Sequence, residues 1–212
     1  LKEIENLFNS NIKTVFIHGF GGIGKSELAK KYASVYSNNY DAITFINYKD
    51  SLEDSIKNIQ LANYEGDITL SCLKKICSKN KVLIIVDNFD VSVDADNLLE
   101  ELQEVSCDFI FTTRTDFSEC LTDNQQQINL SSLEVEELYS LFVNESKLKT
   151  ISAEDNLKIR DLLKLTSYHT LTAILLAKQI EKSGIGVNEI LIQYQRGLDA
   201  LLQEEKIVIK KD

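Results

Sequence analysis

The stretch H-G-F-G-G-I-G-K-S-E-L-A, His18 to Ala29, decides how the rest of the chain is read. Gly19, Gly24, Lys25 and Ser26 satisfy the spacing G-x-x-x-x-G-K-[ST]. Four of the chain's eight glycines fall in this one loop, which lets the backbone fold tightly enough for successive N–H groups to converge on an anion. Val15 to His18 reads as a short strand feeding the glycines, and Lys25 to Tyr36 as a helix with Leu28, Tyr32, Val35 and Tyr36 near one face. A strand, a glycine loop and a helix start form the context in which this pattern holds phosphate, with the positive end of the helix dipole behind it. Lys25 offers a full charge to β- and γ-phosphates, and Ser26 a hydroxyl to Mg²⁺. Phe20, Gly21, Gly22, Ile23 and Glu27 complete the cofactor-binding stretch. A glycine-rich turn without a ligand would need neither Lys25 nor Ser26.

Working outward, strands and helices alternate. Ala42–Ile46, Val82–Val86, Phe109–Thr113 and Gln127–Leu130 read as further strands, with helices expected over Ser51–Ile59 (Ser51 as N-cap), Leu70–Cys77 and Asp96–Val105. Val82–Val86 is a continuous apolar run, as expected of a strand buried on both faces. The fold class is therefore α/β, a parallel sheet with helices on both faces. Beyond residue 130 only helical periodicity is found, over Leu133–Phe142, Asn156–Leu165, Leu171–Lys182 and Val187–Leu202. That tail reads as a small helical domain whose apolar stripe is core.

Two further sites belong with the loop. Val82–Val86 ends in Asp87, where a carboxylate can hold Mg²⁺ beside the loop through water. The next residue is Asn88, a poorer base than an acid for orienting an attacking water, so hydrolysis is expected to be slow. Phe109–Thr113 ends in Arg114, one of only three arginines. It stands at the C-terminal end of a strand, where α/β sheets bind ligands, and its fork suits phosphate. It can report a γ-phosphate, or it can pair with Asp87, Asp90 or Asp116.

Bulk composition narrows the class. The 212 residues suffice for one large or two small domains, and burial of roughly 70% of the unfolded surface needs no disulfide or metal support. The net charge of −10 disfavours a general nucleic-acid surface, which depends on lysine and arginine. Cys72, Cys77, Cys107 and Cys120 form no C-x-x-C pair and, with His18 and His169, no zinc spacing, so they read as reduced thiols. No secretory signal and no apolar run near ~20 residues occurs, and a cytoplasmic protein without a membrane partner is expected. There is no methionine, even at position 1, and no proline. The chain is thus expected to lack its true N-terminus.

The three elements in this order resemble the NB-ARC type of STAND-class P-loop NTPases, found in plant disease-resistance proteins, apoptosome-forming proteins and bacterial regulators. The family's loop reads G-x-G-G-[IV]-G-K-[ST]-x-L-A, like Gly19 to Ala29. Its magnesium strand ends in D-[DN], like Asp87-Asn88, and its sensor strand in T-T-R, like Thr112-Thr113-Arg114. Leu133–Phe142 is similar to its leucine-rich helix, and Leu171–Ala177 to its G-x-P-L-A-x-x-L-L-A helix, with Tyr168 in place of the glycine and Thr170 in place of the proline. Lys2 to Leu7 resembles the end of a segment near the adenine.

The resemblance implies sheet order 5-1-4-3-2 in chain numbering and a nucleotide-binding domain over 1–130. It implies a helical domain over 131–203 that closes on ADP through Thr170 and Leu171, and a start of linker over 204–212 toward an absent winged-helix domain. It also implies ADP or ATP with Mg²⁺ as ligands, weak ATPase chemistry using Lys25, Asp87, Asn88 and Arg114, and homo-oligomerisation of a full-length protein when ATP-bound. A small-molecule kinase would be expected to carry several lid arginines, and a nucleic-acid remodeller a basic, aromatic-interleaved stretch; the sequence favours neither, although domains outside it could bind nucleic acid.

Overall fold

Side chains that alternate along a strand must find cover on both faces of a sheet, and here two sets of helices supply it. The computed structural model describes residues 1–59, 68–92 and 98–209, with the backbone alone at 98, 103 and 200–209. Five strands, β1 (Thr14–His18), β2 (Ala42–Asn47), β3 (Val82–Asp87), β4 (Asp108–Thr113) and β5 (Gln125–Asn129), form one sheet in the order β2-β3-β4-β1-β5. Every neighbouring pair is parallel. Counted from the other edge this is the order 5-1-4-3-2 that the family resemblance implies.

One face of the sheet, including Phe16, Ile84, Val86, Phe109 and Phe111, packs with Leu52 and Ile56 of α3 (Leu52–Lys57) and Leu73 and Cys77 of α4 (Leu70–Cys77). The other, with Val15, Ile17, Leu83, Ile85 and Ile110, packs with Ile4 of α1 (Lys2–Asn9) and Ala29 and Tyr32 of α2 (Lys25–Val35). β1, β3 and β4 are buried almost throughout, so their near-continuous apolar character follows from cover on both sides.

Ser51 caps α3 by accepting from the Asp54 N–H, as its sequence position suggests. The helix expected from Asp96 is found as α5 (Leu98–Glu101) running into a 3₁₀ turn at Leu102–Glu104; residues 96 and 97 lie outside the described residues. Strand β5 begins earlier than its apolar residues suggest, because Gln125, Gln126 and Gln127 pair with Thr14, Val15 and Phe16 through their backbones.

The chain divides into two compact units, Leu1–Ser131 and Ser132–Asp212. The second is helical: α6 (Val135–Ser146), α7 (Ala153–Leu165), α8 (Thr170–Ser183) and α9 (Val187–Ile209). Leu138, Phe142, Ile159, Leu162, Leu163, Ala173 and Ala177 fill its core. Helix α9 continues past Leu202, where the apolar period suggested an end. Among the described residues no helix is long and apolar enough to cross a membrane.

Candidate functional site

The register of the sheet gathers the sequence-predicted residues of the first unit at one end of its strands. His18 of β1 stands opposite Thr113 of β4, and Val86 of β3 opposite Phe111, so β1, β3 and β4 end side by side. The loop Gly19–Gly24 leaves β1 there and turns into α2. Gly24, the residue before α2, has φ 111°, a conformation that a side chain would strain. At Gly19 an added Cβ would meet the Leu130 carbonyl oxygen at 3.0 Å. Gly24 has no side chain with which to cap the start of α2. Phe20 stands at the tip with 83% of its surface exposed, Ile23 is half-buried, and Glu27 pairs with Lys30 across an exposed turn of α2.

The Lys25 ammonium donates to the carbonyl oxygens of Gly19 at 2.8 Å and Phe20 at 3.0 Å. The charge therefore lies within the curl of the loop. Burial pushes its pKa down, opposed by the carboxylate of Asp90, while Arg114 adds to the depression and Asp87 opposes it. These four groups thus share one electrostatic neighbourhood.

The hydroxyl of Ser26 donates to Asp87 Oδ1 at 2.6 Å. Asp87 ends β3 with only 7% of its surface exposed, and a carboxylate so placed requires donors. The second is Thr112, whose hydroxyl donates to the same oxygen at 2.5 Å. Thr112 Oγ1 also accepts the Asn88 N–H at 3.1 Å, and the Thr112 carbonyl accepts the Phe89 N–H at 2.8 Å. Beyond the T-T-R resemblance the sequence marks Thr112 only as a polar residue in a phenylalanine-rich strand; its burial shows in the structure. Asn88 turns the chain with φ 60°, in the left-handed region that asparagine tolerates better than most residues.

Arg114 selects Asp90 from its three possible partners. Its backbone N–H donates to Asp90 Oδ1 at 2.6 Å, its Nε to Oδ2 at 2.6 Å, and its Nη2 lies 2.6 Å from Oδ2. A Cβ added at Gly21 would lie 4.0 Å from Arg114 Cδ, so this side chain runs beside the loop.

Among the described residues no group of three or more His, Cys, Asp or Glu side chains gathers as a metal site. Magnesium does not need one: it commonly keeps water and phosphate oxygens and takes only one or two protein donors. The adjacent Ser26 hydroxyl and Asp87 carboxylate fit that donor set. Thr170 and Leu171 belong to the second unit, at the start of α8, where Thr170 is buried and Leu171 exposed. His169 caps that helix through Nδ1, which accepts the Thr172 N–H. Ser167 and Tyr168 just before it have φ 51° and 57°, in the left-handed region that glycine adopts most readily.

The NB-ARC domain model matches residues 2–152. Two Arabidopsis thaliana sequences named "Disease resistance protein RRS1" are 28% identical over 170 residues, covering 74% of this chain. The chain spans only 13% and 12% of their respective lengths. A solved STAND protein with a tetratricopeptide repeat sensor, from Pyrococcus horikoshii, is similar at 22% identity and a TM-score of 0.49, covering 81% of this chain and 28% of that one. With a family match over most of its length, and a glycine loop, Ser26, Asp87 and Arg114 at one end of the sheet's strands, the chain belongs to the NB-ARC family of nucleotide-binding P-loop NTPases.

Proposed function

We infer that the chain is the adenine-nucleotide switch of a STAND-type signalling or regulatory ATPase, resting with ADP and activated with ATP. The observation that carries this is the meeting, at one loop, of Lys25, the Ser26–Asp87 pair and Arg114. In this reading the loop backbone and Lys25 hold the phosphates, and Ser26 and Asp87 hold Mg²⁺, which would neutralise phosphate charge. Arg114 distinguishes a triphosphate from a diphosphate. The same proposal includes nucleotide contacts by Thr170 and Leu171, homo-oligomerisation of an ATP-bound full-length protein, and a cytoplasmic location.

The arrangement suits reporting better than rapid turnover. A switch works only if its two nucleotides favour its two states unequally; moving a population from 1:99 to 99:1 takes a differential affinity of about 10⁴. Arg114 is the side chain beside the loop whose contact can depend on the third phosphate. Asn88, where an acid would orient water better, accords with slow hydrolysis.

Calorimetric titration tests the binding site. The wild-type chain, stripped of any co-purified nucleotide, should bind ADP, and Lys25→Ala should bind at least about 100-fold more weakly, a loss of about 2.7 kcal/mol. Equal affinity in the variant would remove Lys25 and the loop from the account.

A further inference from the structure

Asp90 stands outside the residues assigned to the phosphates, to magnesium or to hydrolysis. Yet it is held more firmly than a surface acid needs to be. Asn88 and Phe89 are both fastened to Thr112, and the Asp90 N–H donates to the Asn88 carbonyl at 2.9 Å. Phe89 is fully buried, with its ring 4.9 Å from that of Phe111 and 5.7 Å from that of Phe117. The turn that carries Asp90 is thereby locked to the end of β4, the strand that delivers Arg114.

The carboxylate takes hold of Arg114 at both ends of the residue, through the backbone N–H and through the Nε–Nη2 edge of the guanidinium. The Arg114 side chain is nonetheless 64% exposed. An ion pair that exposed contributes little to stability, so holding the fold together is a weak reason for so complete a grip. A long side chain fixed before a ligand arrives, however, loses less freedom on binding it.

We propose that Asp90 is the positioning residue of the γ-phosphate sensor: it chelates residue 114 so that the remaining guanidinium edge is presented to the third phosphate of a nucleoside triphosphate. This rests on the reading of the loop as a nucleotide site and deepens it. The alternative for the same geometry is a competitor, in which Asp90 occupies the guanidinium and must be displaced by phosphate. The two make opposite predictions for ATP.

The test is titration of the full chain with ATP and, separately, ADP, in the wild type, Asp90→Ala, Asp90→Asn, Arg114→Ala and the double variant Asp90→Ala/Arg114→Ala. Circular dichroism and thermal melting establish that each is folded; Asp90→Asn keeps the side chain's shape should the alanine variant fail. A positioning role predicts that Asp90→Ala and Asp90→Asn weaken ATP about tenfold relative to ADP. Arg114→Ala should do the same, with the double variant within about twofold of Arg114→Ala, because residues acting through one contact are not additive. A rise in ATP affinity without Asp90, an unchanged ATP-to-ADP ratio in a folded variant, or independent losses that multiply in the double variant would each overturn the proposal. A folded wild type that, once stripped of any co-purified nucleotide, binds neither ATP nor ADP would overturn the underlying reading with it, and is distinguishable from all three.

Discussion

At the level of one side chain, the proposal of slow hydrolysis rests on Asn88. Its backbone turns at φ 60° and is tied to Thr112, and aspartate tolerates the same left-handed conformation. Asn88→Asp should therefore fold, while placing a general base in the position after Asp87. General bases contribute about 10²–10⁴-fold where they are well placed. Phosphate release by the wild type should fall below ~1 per second, under the range usual for kinases, and Asn88→Asp should raise it at least about tenfold. A wild type already turning over at kinase rates would contradict the slow-switch reading, and an unresponsive variant would show that residue 88 does not set the rate. Sequence reading reached Asn88 directly because it needed only the neighbour of a strand-terminal acid. It could not choose the partner of Arg114, because Asp87, Asp90 and Asp116 are all plausible by spacing. Asp90 prevails because the turn after β3, pinned to Thr112, carries it back to the end of β4.

Among the elements, periodicity located the buried ones well and polar signals set their ends. The central strands were legible because two-sided cover leaves an apolar run, and α4 was found at the bounds its pattern gives. The apolar pattern misses the start of strand β5 because its first residues are glutamines, held by backbone pairing that leaves no mark on side-chain pattern. Helix α1 shows in the sequence only as a motif, since eight residues with one buried position, Ile4, give little period. Helix α7 begins at Ala153, ahead of the Leu157 and Ile159 period that marks it, and its start is written in a capping box instead: the Ser152 hydroxyl accepts the Asp155 N–H at 3.0 Å, and the Asp155 carboxylate accepts the Ser152 N–H at 3.2 Å. Removing the cap with Ser152→Ala should cost about 1 kcal/mol and lower the melting temperature by about 2–4 °C. An unchanged melting curve would mean that water serves the freed N–H as well as serine does.

At the scale of the whole molecule, the α/β unit and the helical unit each have a core of their own, and the chain corresponds to a small part of its long disease-resistance relatives. The proposed reading is of a nucleotide switch, with no trigger or effector assigned. The claim common to every part of it is that the loop at Gly19–Ser26 holds an adenine nucleotide for long periods. Binding of that kind protects the folded state in proportion to the logarithm of ligand over dissociation constant, and a tightly held ligand survives purification. The most direct measurement is chromatography of the supernatant after the purified, nucleotide-untreated chain is denatured. The account predicts release of ADP approaching one equivalent per chain, and its absence from Lys25→Ala prepared in parallel; no adenine nucleotide from the wild type, or an equal amount from the variant, would contradict it.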